Sequence, residues 1–105
     1  MKDPGLADRV AIGRSAERAE HLAEVLKAVA HPLRLRIVAI LCAGEEHVNA
    51  LAARLGAPQA VVSQQLRILR DHGLVSATRE DGFAFYRLSE PALQDLVCCM
   101  EKCER

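Results

Sequence analysis

Three thiols crowd the end of the chain, where Cys98, Cys99 and Cys103 fall within six residues. Cys99 and Cys103 are four apart, so a helix puts both on one face. Cys98 is turned from Cys99 by about a hundred degrees and joins them at a shared ion only where the helix end frays. Thiolates select soft ions, and three sulfurs suit trivalent arsenic, antimony or a soft divalent metal. Binding must displace the thiol protons, so affinity should fall in acid. Solvent-accessible thiols with no role are the plain alternative. Cys42 stands apart, between Leu41 and Ala43. It reads as a small packing residue, or as half of a redox pair with Cys99 or Cys103. The four histidines, His21, His31, His47 and His72, are scattered and do not read as ligands. A cysteine nucleophile needs a base beside it. No His lies near the cysteines in sequence, so an enzyme is not expected.

A second group of residues has a different chemistry. Gln59-Ala60-Val61-Val62-Ser63-Gln64-Gln65-Leu66-Arg67 alternates short polar side chains with apolar ones. Gln can bond adenine edges, and Ser can bond bases or phosphates. Arg67 and Arg70 can reach phosphates, which position a protein on duplex DNA without reading its sequence. Arg79 adjoins a tight turn, in place for a phosphate or the minor groove. The candidate DNA contacts are therefore Gln59, Ser63, Gln64, Gln65, Arg67, Arg70 and Arg79. A polar helix face that merely meets solvent has a similar composition, so the setting must decide.

That setting is a run of short elements. Ser15 caps a first helix to Ala30, with Leu22, Val25, Leu26 and Val29 at helical spacing. His31-Pro32 breaks it, because the residue before proline avoids the α region. A second helix runs to about Ala43, with Leu33, Ile37, Ile40 and Leu41 inward. A third covers Val48 to Leu55 and stops at Gly56. Ala57 and Pro58 open a fourth, ending at Gly73, with Val62, Leu66 and Leu69 as its inner stripe. Leu74 to Thr78 reads as a strand, Asp81-Gly82 as a hairpin turn and Phe83 to Leu88 as the return strand. Ser89 caps a last helix to about Lys102, with Pro91 in its first turn. The expected fold is mainly α with a β-hairpin, in the order ααααββα. Two short helices joined by a turn form a helix–turn–helix, and the hairpin behind them forms a wing. A polar helix in that setting reads as a DNA-recognition helix.

The chain has 105 residues, half of them hydrophobic. That is one globular domain: a polar, flexible lead over residues 1–14 and a DNA-binding and dimerisation domain over 15–105. Fourteen basic and fourteen acidic residues cancel. The balance argues mildly against nucleic acid, although charge placement outweighs the sum. No apolar run spans a bilayer, and the start lacks a secretion signal. No membrane partner is expected, and the expected compartment is the cytoplasm, where thiols stay reduced.

Ala30-His31-Pro32-Leu33-Arg34-Leu35-Arg36-Ile37 resembles the second-helix signature of the ArsR/SmtB family of bacterial repressors. Leu51 to Gly56, followed by Val62 to Val75, resembles that family's helix–turn–helix. Phe85-Tyr86-Arg87-Leu88 resembles its second wing strand. The resemblance spans about Leu22 to Leu96. It implies a homodimer through the first and last helices, and release of operator DNA when an inducer binds or a thiol reacts. Leu93, Leu96, Val97 and Met100 offer an apolar stripe for that interface. Some members carry Cys-Cys and a nearby third Cys at the C-terminus and look like arsenite sensors. No obligatory cofactor is implied, and the inducer by this likeness is trivalent arsenic or another soft metal ion. Two departures stand out. The Cys-Val-Cys of arsenic- and cadmium-responsive members is replaced by His47-Val48-Asn49, and the last helix has no His for a zinc site. Members that sense oxidants or reactive sulfur pair a second-helix cysteine with a last-helix one. Their second-helix cysteine falls near Ala39, one turn before Cys42.

Overall fold

A computed structural model describes residues 11–103. Most of the lead expected over 1–14 lies outside the described residues, and its last four form a helical turn, α1 (Ala11–Arg14). The order continues with α2 (Ala16–Val29), α3 (Pro32–Leu41), β1 (Glu46–His47), α4 (Val48–Leu55), α5 (Gln59–Asp71), β2 (Val75–Glu80), β3 (Phe83–Leu88) and α6 (Pro91–Glu101). The four helices, hairpin and final helix expected from periodicity are all present. The short strand β1 was not expected, and it turns the hairpin into a three-stranded antiparallel sheet ordered β1-β3-β2.

Local chemistry explains most of the boundaries. Ser15 Oγ accepts from the Arg18 amide at 3.1 Å, which satisfies one of the orphan donors of α2. Pro32 sits in the first turn of α3, where its missing N–H costs nothing. Gly56 ends α4 in the left-handed region at φ 62°, which a Cβ would disfavour. Asp81 and Gly82 both have positive φ, the combination that matches a two-residue turn to the twist of its strands. Ser89 differs from its expected role. Its hydroxyl donates to the Gly73 carbonyl at 2.9 Å, tying the end of β3 to the end of α5. Glu90 takes the cap, its Oε1 accepting from the Ala92 amide at 3.2 Å. A carboxylate there also suits the positive end of the helix dipole.

The helices close around one apolar core. Ile37 and Val38 of α3, Leu51 of α4, and Val62, Leu66 and Leu69 of α5 are fully buried. Leu74 before β2, Val75 of β2 and Leu93 of α6 complete it. Burying each leucine contributes about 1.5–3 kcal/mol. Among the described residues no polar or charged residue belongs to the core. The chemistry is therefore carried at the surface, by side chains that the core holds in place.

Candidate nucleic-acid interface and thiol sites

Helix α5 turns Val62, Leu66 and Leu69 inward, so positions 60, 63, 64, 67 and 70–71 face out. Ala60, Ser63, Gln64, Arg67, Arg70 and Asp71 line one groove of about 700 Å³, and Tyr86 of β3 closes its side. Three of these are polar readers or cations named by the sequence pattern on the exposed face, Ser63, Gln64 and Arg67, and Arg70 lies a turn further on. Asp71 and Tyr86 were not anticipated. Asp71 places a negative charge at one end of the groove. Register places Tyr86 opposite Ala77 and Ala84 opposite Arg79. Strand alternation then sets Arg79 on the sheet face that carries Tyr86. Arg79 is exposed at the far end of β2, beside the wing turn.

Two of the expected DNA contacts are occupied within the protein. Gln65 is half-buried, and its Oε1 accepts from Arg34 Nη1 at 2.8 Å. Arg34 Nε donates to the Ala28 carbonyl. One guanidinium thus ties the end of α2 and the start of α3 to the middle of α5. Gln59 is exposed at the first turn of α5, and its amide donates to Asn49 Oδ1 of α4. That bond spans the two helices of the helix–turn–helix. Gln59 and Gln65 set the pose of α5, while Ser63, Gln64, Arg67 and Arg70 stay open to a ligand.

The cysteines divide by helix face. Cys42 caps the C-terminus of α3 and is half-buried. Gln94 of α6 donates from Nε2 to the Cys42 carbonyl at 3.2 Å. Cys98 lies one turn beyond Gln94 on the same face of α6. Burial pushes the Cys42 thiol up, and a charge on neighbouring Cys98 adds to the shift. Of the three C-terminal thiols, Cys98 is the one whose charge bears on the Cys42 thiol. Cys99 is exposed, and Cys103 edges a shallow groove with Leu35, Ala39, Val97 and Met100. Helix α6 stays regular through Glu101, with Lys102 still in the right-handed region. That regular helix keeps Cys98 turned from Cys99 by about a hundred degrees. Among the described residues no three His, Cys, Asp or Glu side chains group as a metal site.

Residues 31–77 match the family described as bacterial regulatory protein, arsR family. A relative in Xylella fastidiosa (strain 9a5c), described as a biofilm growth-associated repressor, is 39% identical over 93 residues, 82% of each chain. The chain belongs to the ArsR family. It is a winged helix–turn–helix transcriptional repressor of the ArsR/SmtB kind, a DNA-binding regulator and not an enzyme. Solved structures agree in fold. The repressor BigR from Xylella fastidiosa superposes with a TM-score of 0.78 at 37% identity, covering 85% of this chain and 93% of BigR. HlyU from Vibrio cholerae N16961 gives 0.80 at 31% identity, covering 84% and 96%, and it has also been solved in a form described as reduced. Mb0332 from Mycobacterium bovis, described as a homodimeric winged helix–turn–helix DNA-binding domain, gives 0.73 at 33% identity, covering 85% of each chain.

Proposed function

We propose that this repressor works as a homodimer on operator DNA and is released by oxidation of Cys42 with Cys98. The observation that carries the release step is the junction of α3 with α6. There Gln94 holds the Cys42 carbonyl, and Cys98, one turn on, acts electrostatically on the Cys42 thiol. Closing that pair as a disulfide takes two electrons and two protons from the thiols. Hydrogen peroxide accepts them and leaves as two waters. The new bond would pin α3, which packs against the recognition helix, to α6.

In this reading Ser63 and Gln64 meet base edges, while Arg67, Arg70 and Arg79 meet phosphates. Gln59 and Gln65 hold the recognition helix at the angle those contacts need. The dimer face is the apolar groove between α2 and α6, lined by Leu22, Val25, Leu26, Leu93 and Leu96. Leu26 is 51% exposed in the single chain, a cost that a second copy removes. The homodimeric state described for Mb0332 supports that assignment. Residues 15–105 form the DNA-binding and dimerisation unit behind the 1–14 lead. Among the described residues no helix is long and apolar enough to cross a membrane, and a regulator that reads the chromosome acts in the cytoplasm. The α6 helices of two copies would transmit a change at the thiols to the spacing of the two recognition helices.

A soft-ion inducer, trivalent arsenic first, is the second reading. Three exposed thiols in the last described turns of the chain favour it. In a dimer, Cys98, Cys99 and Cys103 of one copy need not act alone. One experiment separates the two readings. Reduced protein bound to a selected duplex is titrated with peroxide and, separately, with arsenite. Oxidative release that disappears in both Cys42→Ser and Cys98→Ser supports the thiol pair. Arsenite release that survives Cys42→Ser but fails in the Cys99→Ser, Cys103→Ser double variant supports the ion. Identical peroxide responses from wild type and both single variants would overturn the thiol proposal.

A further inference from the structure

We infer that His47 is a positioning residue for DNA binding, and that protonating it loosens the wing from the reading helices. His47 touches three parts of the DNA-reading unit. As a residue of β1 it pairs with Phe85 of β3. Its ring meets Phe85 edge-on at 5.6 Å and leans on Phe83 at 5.9 Å between centroids. Its Nδ1 accepts from the Ala50 amide at 3.4 Å, which makes it the cap of α4. Two residues on, Asn49 of α4 accepts from Gln59 at the first turn of α5. One path from the wing to the N-terminal end of the recognition helix thus runs through one imidazole and one amide pair. Both phenylalanines of the chain are placed against that imidazole.

The cap sets the proton state. An imidazole nitrogen that accepts a backbone N–H carries no proton, so the ring proton of the neutral form sits on Nε2. Adding a second proton removes the acceptor and frees the Ala50 amide. It also places a positive charge at the positive end of the α4 dipole. The surrounding charges do little to offset it. Glu46, the nearest acid in sequence, is engaged with Arg54 of α4 at 3.5 Å. Glu45 is exposed. From β3 the rings of Phe83 and Phe85 face the imidazole, and the exposed Arg87 shares their side of the sheet. From β2, Glu80 stands opposite Phe83 near the wing turn, and it is exposed. With the cap lost, β1 and the hairpin behind it are free to shift against α4. Arg79 then loses its fixed distance from Ser63 and Gln64.

The test uses full-length protein under reductant, so the thiol pair stays open throughout. A duplex is first selected from a randomised pool by wild type at neutral pH. Affinity for it is then measured at constant salt from about pH 8 to about pH 5.5, the span over which imidazole commonly gains its proton. The comparison is His47→Asn, which keeps a cap acceptor and cannot titrate. Wild type should lose about fivefold more affinity in acid than the variant, in proportion to a lost cap. His31, which caps α3 through Nδ1 in the same way at 3.1 Å, is present in both proteins and cancels. Equal slopes would overturn the inference. Ring-nitrogen resonances of wild type provide a measurement that no variant's folding can spoil. A neutral form protonated on Nε2 is expected, and a neutral form protonated on Nδ1 would overturn the assignment. Failure of the pool to yield any preferred duplex would count against the repressor reading, on which this inference rests, while the ring-nitrogen resonances would still test the cap.

Discussion

The two ends of this molecule place their chemistry by different means. At the reading end, Ser63, Gln64 and Arg67 lie outward because Val62, Leu66 and Leu69 of the same helix lie inward. Helical period alone relates the two sets. At the thiol end, Cys42 and Cys98 are 56 positions apart in sequence, and the docking of α6 on α3, held by the Gln94–Cys42 hydrogen bond, sets how they lie to each other. A one-residue slip of α6 would turn Cys98 away by about a hundred degrees. The lesson is that a face built within one helix is robust and simple to infer. A pair built across two helices depends on their docking. Perturbing the core should therefore silence both ends, while surface changes should affect one end only.

The largest expected effect breaks the distinction outright. Leu66 is completely buried under the reading face. Leu66→Ala removes its methyl groups and leaves a cavity, which costs about 2–5 kcal/mol. For a domain of this size that is a large share of the total stability. Thermal unfolding should shift down steeply, and duplex binding should fall with it. If the melting transition moved little, α5 would not be anchored as described.

Next comes a change confined to the reading end. Gln64→Ala should cost about 1–3 kcal/mol of discrimination between the selected duplex and its single-base variants, with thermal stability unchanged. Arg67→Ala should weaken all duplexes alike and lower the salt slope by about one. Gln65→Ala is the control within the same helix. Its amide oxygen is held by Arg34, so it should lower stability and leave the ranking of duplexes intact. A Gln65 variant that altered the ranking while melting normally would place that side chain among the base contacts instead.

These residues also show how far the sequence could be read. The inner stripe of α5, the Gly56 stop and the Asp81-Gly82 turn are local features, and each appears where the pattern places it. Strand β1 has two residues, and Glu46-His47 holds an extended form only because Tyr86 and Phe85 offer ladder partners. Nothing local announces it. The Arg34–Gln65 brace spans 31 positions, so Gln65 looks like any other outward amide until α3 is in place. Ser89 is the better cap by residue type, but the Gly73 carbonyl draws it away and leaves the cap to Glu90. The relation of Cys42 to the C-terminal thiols is likewise non-local. Spacing relates Cys99 to Cys103, and only docking relates Cys98 to Cys42.

A smaller effect tests the groove's acidic edge. Asp71→Asn removes a charge that opposes phosphate. Binding should tighten on every duplex, and the salt dependence should steepen by up to about one counterion. The gain should be smaller than the loss from Arg67→Ala, because Arg67 lies nearer the middle of the groove's helix and Asp71 closes its end. Unchanged binding at low salt would mean that the duplex backbone never approaches that end.

The smallest effect belongs to the thiol end. A thiol pushed up holds less thiolate at any given pH, and thiolate is the form that reacts. Under reductant-free, metal-free conditions, Cys42 should therefore alkylate more slowly than the exposed Cys99 near neutrality, and its rate should keep rising with pH into the alkaline range. Burial is the larger cause of the shift and Cys98 the smaller. Cys98→Ser removes only the second, so Cys42 should become slightly more reactive and stay slower than Cys99. Residue-resolved mass spectrometry of partly alkylated protein measures both rates. If Cys42 slowed or did not respond at all in the Cys98→Ser variant, the two sulfurs would not sense each other. The thiol end would then lack the cross-helix pairing that sets it apart from the reading end.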